Sequence, residues 1–179
     1  MKKHKLNLEN KRYLQKTLEK NIKLFDENDW EKVSIYQKLS ESFIEKHSNK
    51  VDWYWISGYQ DLSEKFIEKY SDKVYWGWIC KYQNLSEQFI EKYSDKVEWW
   101  YISEFQVLSL NFIIKNIDKV CLDYAIDNSK ISLETKKQIK KIMKKLSLID
   151  TYTRNKIKQF NPKDLDKNLN LLIKSIKGK

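Results

Sequence analysis

This chain of 179 residues contains few candidate catalytic or metal-binding residues. The two histidines are His4, in a basic run, and His47; the two cysteines, Cys80 and Cys121, have no Cys or His nearby at a metal-ligand spacing. The chain has no glycine-rich phosphate loop and no Ser or Cys beside a plausible base, and its three glycines are too few for the usual phosphate cradles. These patterns predict a protein that is not an enzyme and has neither a cofactor nor a metal site.

Lysines form the densest group of chemically similar side chains, over residues 132–146. Apolar residues recur among them at helical spacing, which predicts a basic amphipathic helix whose lysines could contact phosphates without base specificity. A solvated helix cap, an acidic protein surface or an anionic membrane would suit the same lysines. The nucleic-acid-binding candidates are Lys136, Lys137, Lys140, Lys141, Lys144, Lys145 and Arg154.

Three consecutive blocks of 23 residues are nearly identical. They form the framework that positions the residues of any binding surface. The blocks begin at Leu39, Leu62 and Leu85; a diverged fourth copy begins at Leu108, and a half copy, residues 30–37, precedes them. A short fixed period is typical of stacked units that cannot bury an apolar face alone. In each block Leu-Ser opens a short amphipathic helix, and a more apolar helix follows a polar turn. The predicted fold is all-α: a short α-solenoid of helix-turn-helix repeats with N- and C-terminal capping helices.

The second block illustrates the predicted local structure. Ser63 caps a first helix of about nine residues, and the second helix spans residues 74–83. Apolar positions cover more than half of the second helix, so neighbouring repeats are expected to enclose it. Two ladders of rings recur at the repeat period, and both are assigned to packing between repeats: Trp30, Trp53, Trp76 and Trp99, and Tyr36, Tyr59, Tyr82 and Phe105.

Recognition of a partner is expected at positions that differ among the copies. Tyr54 and Trp100 fall outside the main apolar arc of the second helix, and exposed Trp and Tyr are enriched among binding hot spots. Alternatively, they cover a neighbouring helix or a terminal segment. The protein-binding candidates are Tyr54, Tyr75, Trp100, Glu98 and Glu104.

Charge changes sign near the boundaries of the repeat. The predicted division is a basic N-terminal capping helix in residues 1–29, the repeat array in residues 30–128 and basic C-terminal helices in residues 129–179. Residues 1–24 carry eight Lys or Arg and two acids, residues 25–128 carry twelve lysines and nineteen acids, and residues 129–179 carry fifteen Lys or Arg and four acids. The three net charges, +6, −7 and +11, give the total of +10. An acidic array with basic ends could steer partners of either sign.

The cysteines and the apolar segments predict a cytoplasmic protein. Cys80 stands where sister blocks have Ser57 and Ser103, so both cysteines are expected to be reduced thiols. The first residues are basic and lack the apolar segment of a signal peptide. No apolar run approaches the roughly 20 residues that span a bilayer.

The pattern LSExFIEKYSDKVxWxWIxxYQ resembles a short helical repeat of uncharacterised proteins of phages, prophages, large DNA viruses and AT-rich bacteria. The resemblance covers residues 30–128, and the fourth copy departs from it at Leu110, Asn116 and Leu122. It implies no particular activity and no functional residues. What it implies is a mobile-element setting, in the cytoplasm of a bacterial or virus-infected host cell.

Together these patterns predict a non-enzymatic protein that binds another macromolecule. The setting implied by the resemblance suggests a phage or mobile-element antagonist that binds and blocks a host defence factor such as an RNA-guided CRISPR nuclease. The alternatives are an RNA- or DNA-binding protein that acts through its Lys-rich C-terminal helices, and a structural or self-assembling repeat module. The expected partner is a protein or a nucleoprotein complex, with nucleic acid at the basic ends, and neither a membrane nor a small-molecule substrate.

Overall fold

Each 23-residue block folds into two short helices joined by turns. The computed structural model describes residues 25–146 together with residues 22, 164, 167 and 168, and the chain divides after Gln83 into two compact units. Unit 1 contains α1 (Glu27–Tyr36), α2 (Glu41–Lys46), α3 (Trp53–Tyr59), α4 (Glu64–Lys69) and α5 (Trp76–Tyr82). Unit 2 contains α6 (Glu87–Lys92), α7 (Trp99–Phe105), α8 (Leu110–Lys115), α9 (Leu122–Asp127) and α10 (Leu133–Leu146). The described residues include no β-strand, so the all-α prediction is confirmed.

A serine begins the first helix of each block, as predicted. Its hydroxyl oxygen accepts the backbone N–H three residues later at 3.2 Å in all four blocks, and these serines are Ser40, Ser63, Ser86 and Ser109. In the second block Leu62 and Ile67 are both buried, in agreement with the hydrophobic staple expected of this sequence. The helix has six residues, fewer than predicted, because the chain enters a four-residue turn after Lys69.

The second helix of the second block begins at Trp76, two residues later than predicted. Its delayed start follows from a hydrogen bond between blocks. Ser57 Oγ accepts the backbone N–H of Tyr75 at 2.9 Å and donates to the Trp53 carbonyl at 2.6 Å, which holds Tyr75 in an extended conformation outside the helix. The serines in this role are Ser34, Ser57 and Ser103.

In unit 1, a glutamine after the second helix joins each block to the preceding one, a role that the sequence did not predict. The side-chain amide of Gln60 donates to the carbonyl oxygens of Ser34 and Gln37, both at 2.8 Å. Its side-chain oxygen accepts the N–H of Leu39, also at 2.8 Å. This glutamine clamp satisfies backbone groups at a helix end that burial would otherwise leave unpaired. Gln83 forms an equivalent clamp. In the last block the side-chain amide of Asn128 makes the two corresponding donations, to the carbonyl oxygens of Ser103 and Gln106.

Isoleucines that recur at the repeat period form the centre of the core. They are 0% exposed: Ile44, Ile56, Ile67 and Ile79 in unit 1, and Ile90, Ile102 and Ile113 in unit 2. In unit 1, α3 packs against both α1 and α5; in unit 2, α9 packs against α7 and α10, and α10 also contacts α8. Within each unit the helical repeats therefore stack in the manner of the predicted α-solenoid.

The tryptophan ladder takes part in packing between blocks, as predicted. Trp53 stacks on Phe66 of the next block with ring centroids 6.2 Å apart, and its indole N–H donates to the Ser48 carbonyl at 2.9 Å. In unit 2, Trp99 and Phe112 are stacked in the same way at 6.2 Å. These tryptophans hold the turn of their own block and the first helix of the following one.

His47 is a packing residue in the structure. Its ring lies 4.7 Å from that of Phe43 and 5.2 Å from that of Trp30, centroid to centroid. Burial, and then the charges of Lys46 and Lys50, lower the pKa of His47 below its usual value. Because that usual value is about 6.5, the imidazole is mainly neutral at pH 7.

Charged residues on the first helices pair between successive blocks. Lys115 Nζ lies 2.7 and 2.8 Å from the two carboxylate oxygens of Glu91 in unit 2. In unit 1, Lys69 donates to Glu45, and this hydrogen bond raises the pKa of Lys69. Such exposed pairs contribute little to stability, so these charged residues form a solvated surface of the first helices.

Several predicted elements fall outside the described part of the chain. Of residues 1–29, the predicted N-terminal capping segment, only residues 22 and 25–29 are described, and Arg154 is not. Of the predicted C-terminal helices, the part after residue 146 is described at residues 164, 167 and 168 alone. No helix among the described residues is both long enough and apolar enough to cross a membrane.

Candidate protein-interaction surface

The tyrosine ladder lies on the surface of unit 1, so its assignment to packing between repeats is wrong. Tyr36 is 63% exposed, Tyr59 37% and Tyr82 44%. Tyr59 and Tyr82 end second helices directly before Gln60 and Gln83, and these glutamines make the contacts between blocks. Phe105, the corresponding residue of unit 2, is half-buried.

Six rings of unit 1 form one connected cluster on the second helices. We call it the aromatic face, and it consists of Tyr54, Trp55, Tyr59, Tyr75, Trp78 and Tyr82. Neighbouring centroids are 5.0–6.5 Å apart, within the usual range for favourable aromatic pairs. Tyr54 links the two helices, because its ring lies 5.0 Å from Tyr75 and 5.3 Å from Trp78.

Helical periodicity places these rings opposite the core. In α3 the three rings of the aromatic face share one arc of the helix, while Ile56 and Ser57 occupy the other side and are 0% exposed. Gly58 lies in the same arc as the rings, and a Cβ atom there would be 3.2 Å from the ring of Trp78. Because Gly58 has no side chain, the ring of Trp78 can pack closely against α3.

The indole N–H of Trp78 is a buried donor without a hydrogen-bond acceptor among the described residues. By contrast, the indole N–H of Trp53 donates to the Ser48 carbonyl at 2.9 Å. Leaving a buried donor unpaired costs about 1–3 kcal/mol. Trp78 thus brings to the aromatic face a polar group that the fold does not use.

Two of the five predicted protein-binding residues come together in the aromatic face. Tyr54 is 43% exposed and Tyr75 52%, and their rings are in contact. The other three lie in unit 2. There Trp100 is 39% exposed and stacks on Tyr101 with centroids 3.4 Å apart, Glu98 is exposed, and Glu104 is half-buried.

Four members of the aromatic face are missing from the predicted site: Trp55, Tyr59, Trp78 and Tyr82. The apolar character of the second helix suggested enclosure on all sides, whereas the helix presents one side of its rings to solvent. One repeat position in the sequence could have indicated this exposed side, and it is occupied by Gly58, Lys81 and Glu104 in successive blocks. A position that accepts a glycine, a lysine and a glutamate in sister blocks is typical of a surface.

Helix α10 carries lysines opposite its buried isoleucines, Ile139 and Ile142, which are 0% and 1% exposed. The lysine stripe, exposed along one side of the helix, consists of Lys137, Lys140, Lys141 and Lys144. Lys136 and Lys145 are half-buried beside it. Within the described part of the chain, Lys137, Lys140 and Lys141 form no ion pair, so these three lysines present uncompensated positive charge.

No cluster of three or more His, Cys, Asp or Glu residues that could hold a metal ion occurs in the described ranges. Cys80 is buried, Cys121 is half-buried, and they are not joined in a disulfide. Comparison of the chain with protein-family models, with curated proteins and with solved structures found no match.

Proposed function

We propose that this protein is a non-enzymatic binding module that recognises another protein through the aromatic face of unit 1. The observation that carries the proposal is the connected cluster of six rings, four of them tyrosines that are 37–52% exposed. Contiguous exposed apolar surface of this kind typically marks an interaction site. Trp and Tyr are also the residues most enriched among those that dominate binding energy.

Charge favours a protein partner for this surface over a nucleic acid. Residues 25–83 carry eleven acids and eight lysines, a net charge of −3. Binding to a phosphate backbone depends mainly on clustered Lys and Arg, which the rings of the aromatic face do not provide. A constant helical frame that displays variable surface residues is also typical of repeat proteins that bind proteins.

The specific form of this function that we propose is obstruction of a host defence factor, such as an RNA-guided CRISPR nuclease. The resemblance of the repeat supports a phage or mobile-element setting. Residues 25–128 have a net charge of −7, which would favour approach to the positively charged channel of such a nuclease.

Removing two exposed rings should abolish partner binding while preserving the fold. In Tyr54→Ala/Tyr75→Ser, alanine favours the helix, and serine is a good N-cap at a position whose present side chain makes no capping bond. Losing a hot-spot ring costs about 2 kcal/mol or more, so affinity should fall at least about 30-fold. The measurement is capture from a lysate of the cells that naturally contain the protein, followed by titration with the captured partner.

A matched control for this test exchanges two exposed residues outside the aromatic face. Lys65→Gln/Asp72→Asn introduces the residues that sister blocks carry at those positions, Gln88 and Asn49, and leaves net charge unchanged. The control should capture the partner as the wild type does. Equal capture by both double variants would reject the aromatic face as the site, and the absence of any stoichiometric protein partner would reject the proposed function.

Nucleic-acid binding through the lysine stripe is a second candidate function. Four exposed lysines share one side of α10 and extend over about 10.5 Å of helix axis. This arrangement suits phosphate contacts that are independent of base sequence.

A further inference from the structure

We propose that the aromatic face of unit 1 binds a basic, proline-rich segment in the polyproline II conformation. The inference rests on the protein-binding function proposed above and specifies the chemistry of the partner. Aromatic-lined grooves are the general means by which proteins recognise this extended helix. Three properties of the aromatic face favour such an occupant: the arrangement of its rings, its repeat distance and its unused hydrogen-bond donor.

The rings supply flat surfaces at right angles to each other. Trp78 and Tyr82 are nearly parallel, with an interplanar angle of 20° and centroids 5.1 Å apart. Tyr54 stands at 90° to Trp78 with centroids 5.3 Å apart. Tyr82, which stacks on the indole, therefore forms a floor, and the Tyr54 ring forms a wall; both rings are exposed. A proline ring is compact and rigid and would contact both.

The general spacing of packed helices matches one turn of polyproline II. Packed helices are separated by about 8–10 Å, and α3 and α5 carry a Trp and a Tyr at equivalent positions, Trp55 and Tyr59 on α3 and Trp78 and Tyr82 on α5. Polyproline II advances about 3.1 Å per residue, or about 9.3 Å per three-residue turn. A strand repeats every two residues at about 6.6 Å, and an α-helix advances about 5.4 Å per turn. Successive turns of a proline-rich segment therefore meet equivalent rings.

The polar chemistry is also complementary. Polyproline II has no internal hydrogen bonds, so its carbonyl oxygens accept donors from a partner. Trp78 offers an unused, buried indole N–H, and its ring is in contact with three exposed tyrosines. We infer that a bound segment displaces a neighbouring side chain and brings a carbonyl oxygen to this donor. The net charge of −3 over residues 25–83 favours basic flanks. Aromatic faces attract cations as well, as the ammonium of Lys81 shows, 5.3 Å from the centroid of Tyr82.

A titration of the full chain with two synthetic peptides tests this inference. One contains consecutive Pro-x-x-Pro units flanked by Lys and Arg; the other has alanine at each proline and the same charges. The proline peptide should bind at least about tenfold more tightly and shift the indole ¹H–¹⁵N resonance of Trp78, identified through Trp78→Phe. The same variant should bind the proline peptide about tenfold more weakly, the effect of one lost hydrogen bond. Trp53, whose N–H is already paired, should keep its resonance position.

The outcomes separate this inference from the proposed function. Equal binding of the two peptides, or a proline peptide that leaves the Trp78 resonance in place, would overturn the proline-rich occupant. The proline-rich occupant would also be overturned if a pyrimidine oligonucleotide shifted the Trp78 resonance and the proline peptide did not. If Tyr54→Ala/Tyr75→Ser still loses its captured partner in those cases, the protein-binding function stands with a different ligand. If this variant captures the partner as the wild type does, both proposals fail.

Discussion

Gln60→Ala is expected to lower the free energy of unfolding by roughly 3 kcal/mol, the largest single-residue effect that the contacts between blocks predict. The clamp leaves three backbone groups dependent on one side chain that is 4% exposed. Each unpaired buried group costs about 1–3 kcal/mol, and partial hydration at the helix end keeps the total near the lower limit. Denaturant unfolding, followed by circular dichroism, measures the change.

Two controls separate the hydrogen bonds of the clamp from its volume. Gln60→Leu restores most of the side-chain volume without the donors or the acceptor, so it should be about as destabilising as Gln60→Ala. Gln88→Ala changes an exposed glutamine of α6 and should stay within about 0.5 kcal/mol of the wild type. A Gln60→Leu protein as stable as the wild type would show that packing, and not hydrogen bonding, holds the blocks together.

Charge reversal of the lysine stripe should weaken oligonucleotide binding by about 100-fold or more, if the second candidate function is correct. For four phosphate contacts on duplex DNA, a fourfold increase in salt already lowers affinity by roughly 100-fold through the counterion effect. Lys137→Glu/Lys141→Glu/Lys144→Glu removes three of these contacts and adds repulsion. The measurement is a titration of a generic duplex at two salt concentrations.

The aromatic-face variant provides the reciprocal control for this titration. Tyr54→Ala/Tyr75→Ser alters unit 1 and no residue of the lysine stripe, so it should bind the duplex as the wild type does. The lysine variant should in turn capture the protein partner normally. Duplex binding that is unaffected by the triple reversal, or that shows no dependence on salt, would remove the lysine stripe as a nucleic-acid site.

The architecture follows from local signals that recur. The Leu-Ser pair before each first helix predicts the N-cap, and the structure confirms it at Ser63. Leu62 beside it is buried. The tryptophan ladder and the basic amphipathic helix α10 were likewise predictable. These features depend on neighbours in the chain or on the 23-residue period, and both are visible without coordinates.

The parts that sequence alone did not reveal depend on contacts between blocks. The partners of Gln60 are main-chain groups 21–26 residues away. The order of side chains along the sequence does not identify such main-chain partners. Tyr82 was misassigned because recurrence at the repeat period has two physical causes, packing on the next block and a fixed place on an outer surface. Only three-dimensional placement distinguishes the two. The unpaired N–H of Trp78 could not be predicted for the same reason, because the residues around this ring come from the second helices of two different blocks.

The most direct test of the account is the free energy of unfolding of Tyr54→Ala/Tyr75→Ser, measured by denaturant titration beside the wild type. If the buried isoleucines, serines and glutamines hold the fold and the aromatic face serves recognition, the variant should lose no more than about 2 kcal/mol, the lower limit for the four exposed ring pairs that it removes. A loss of about 3 kcal/mol or more, comparable to that expected for Gln60→Ala, would show that these rings belong to the core and would contradict the account.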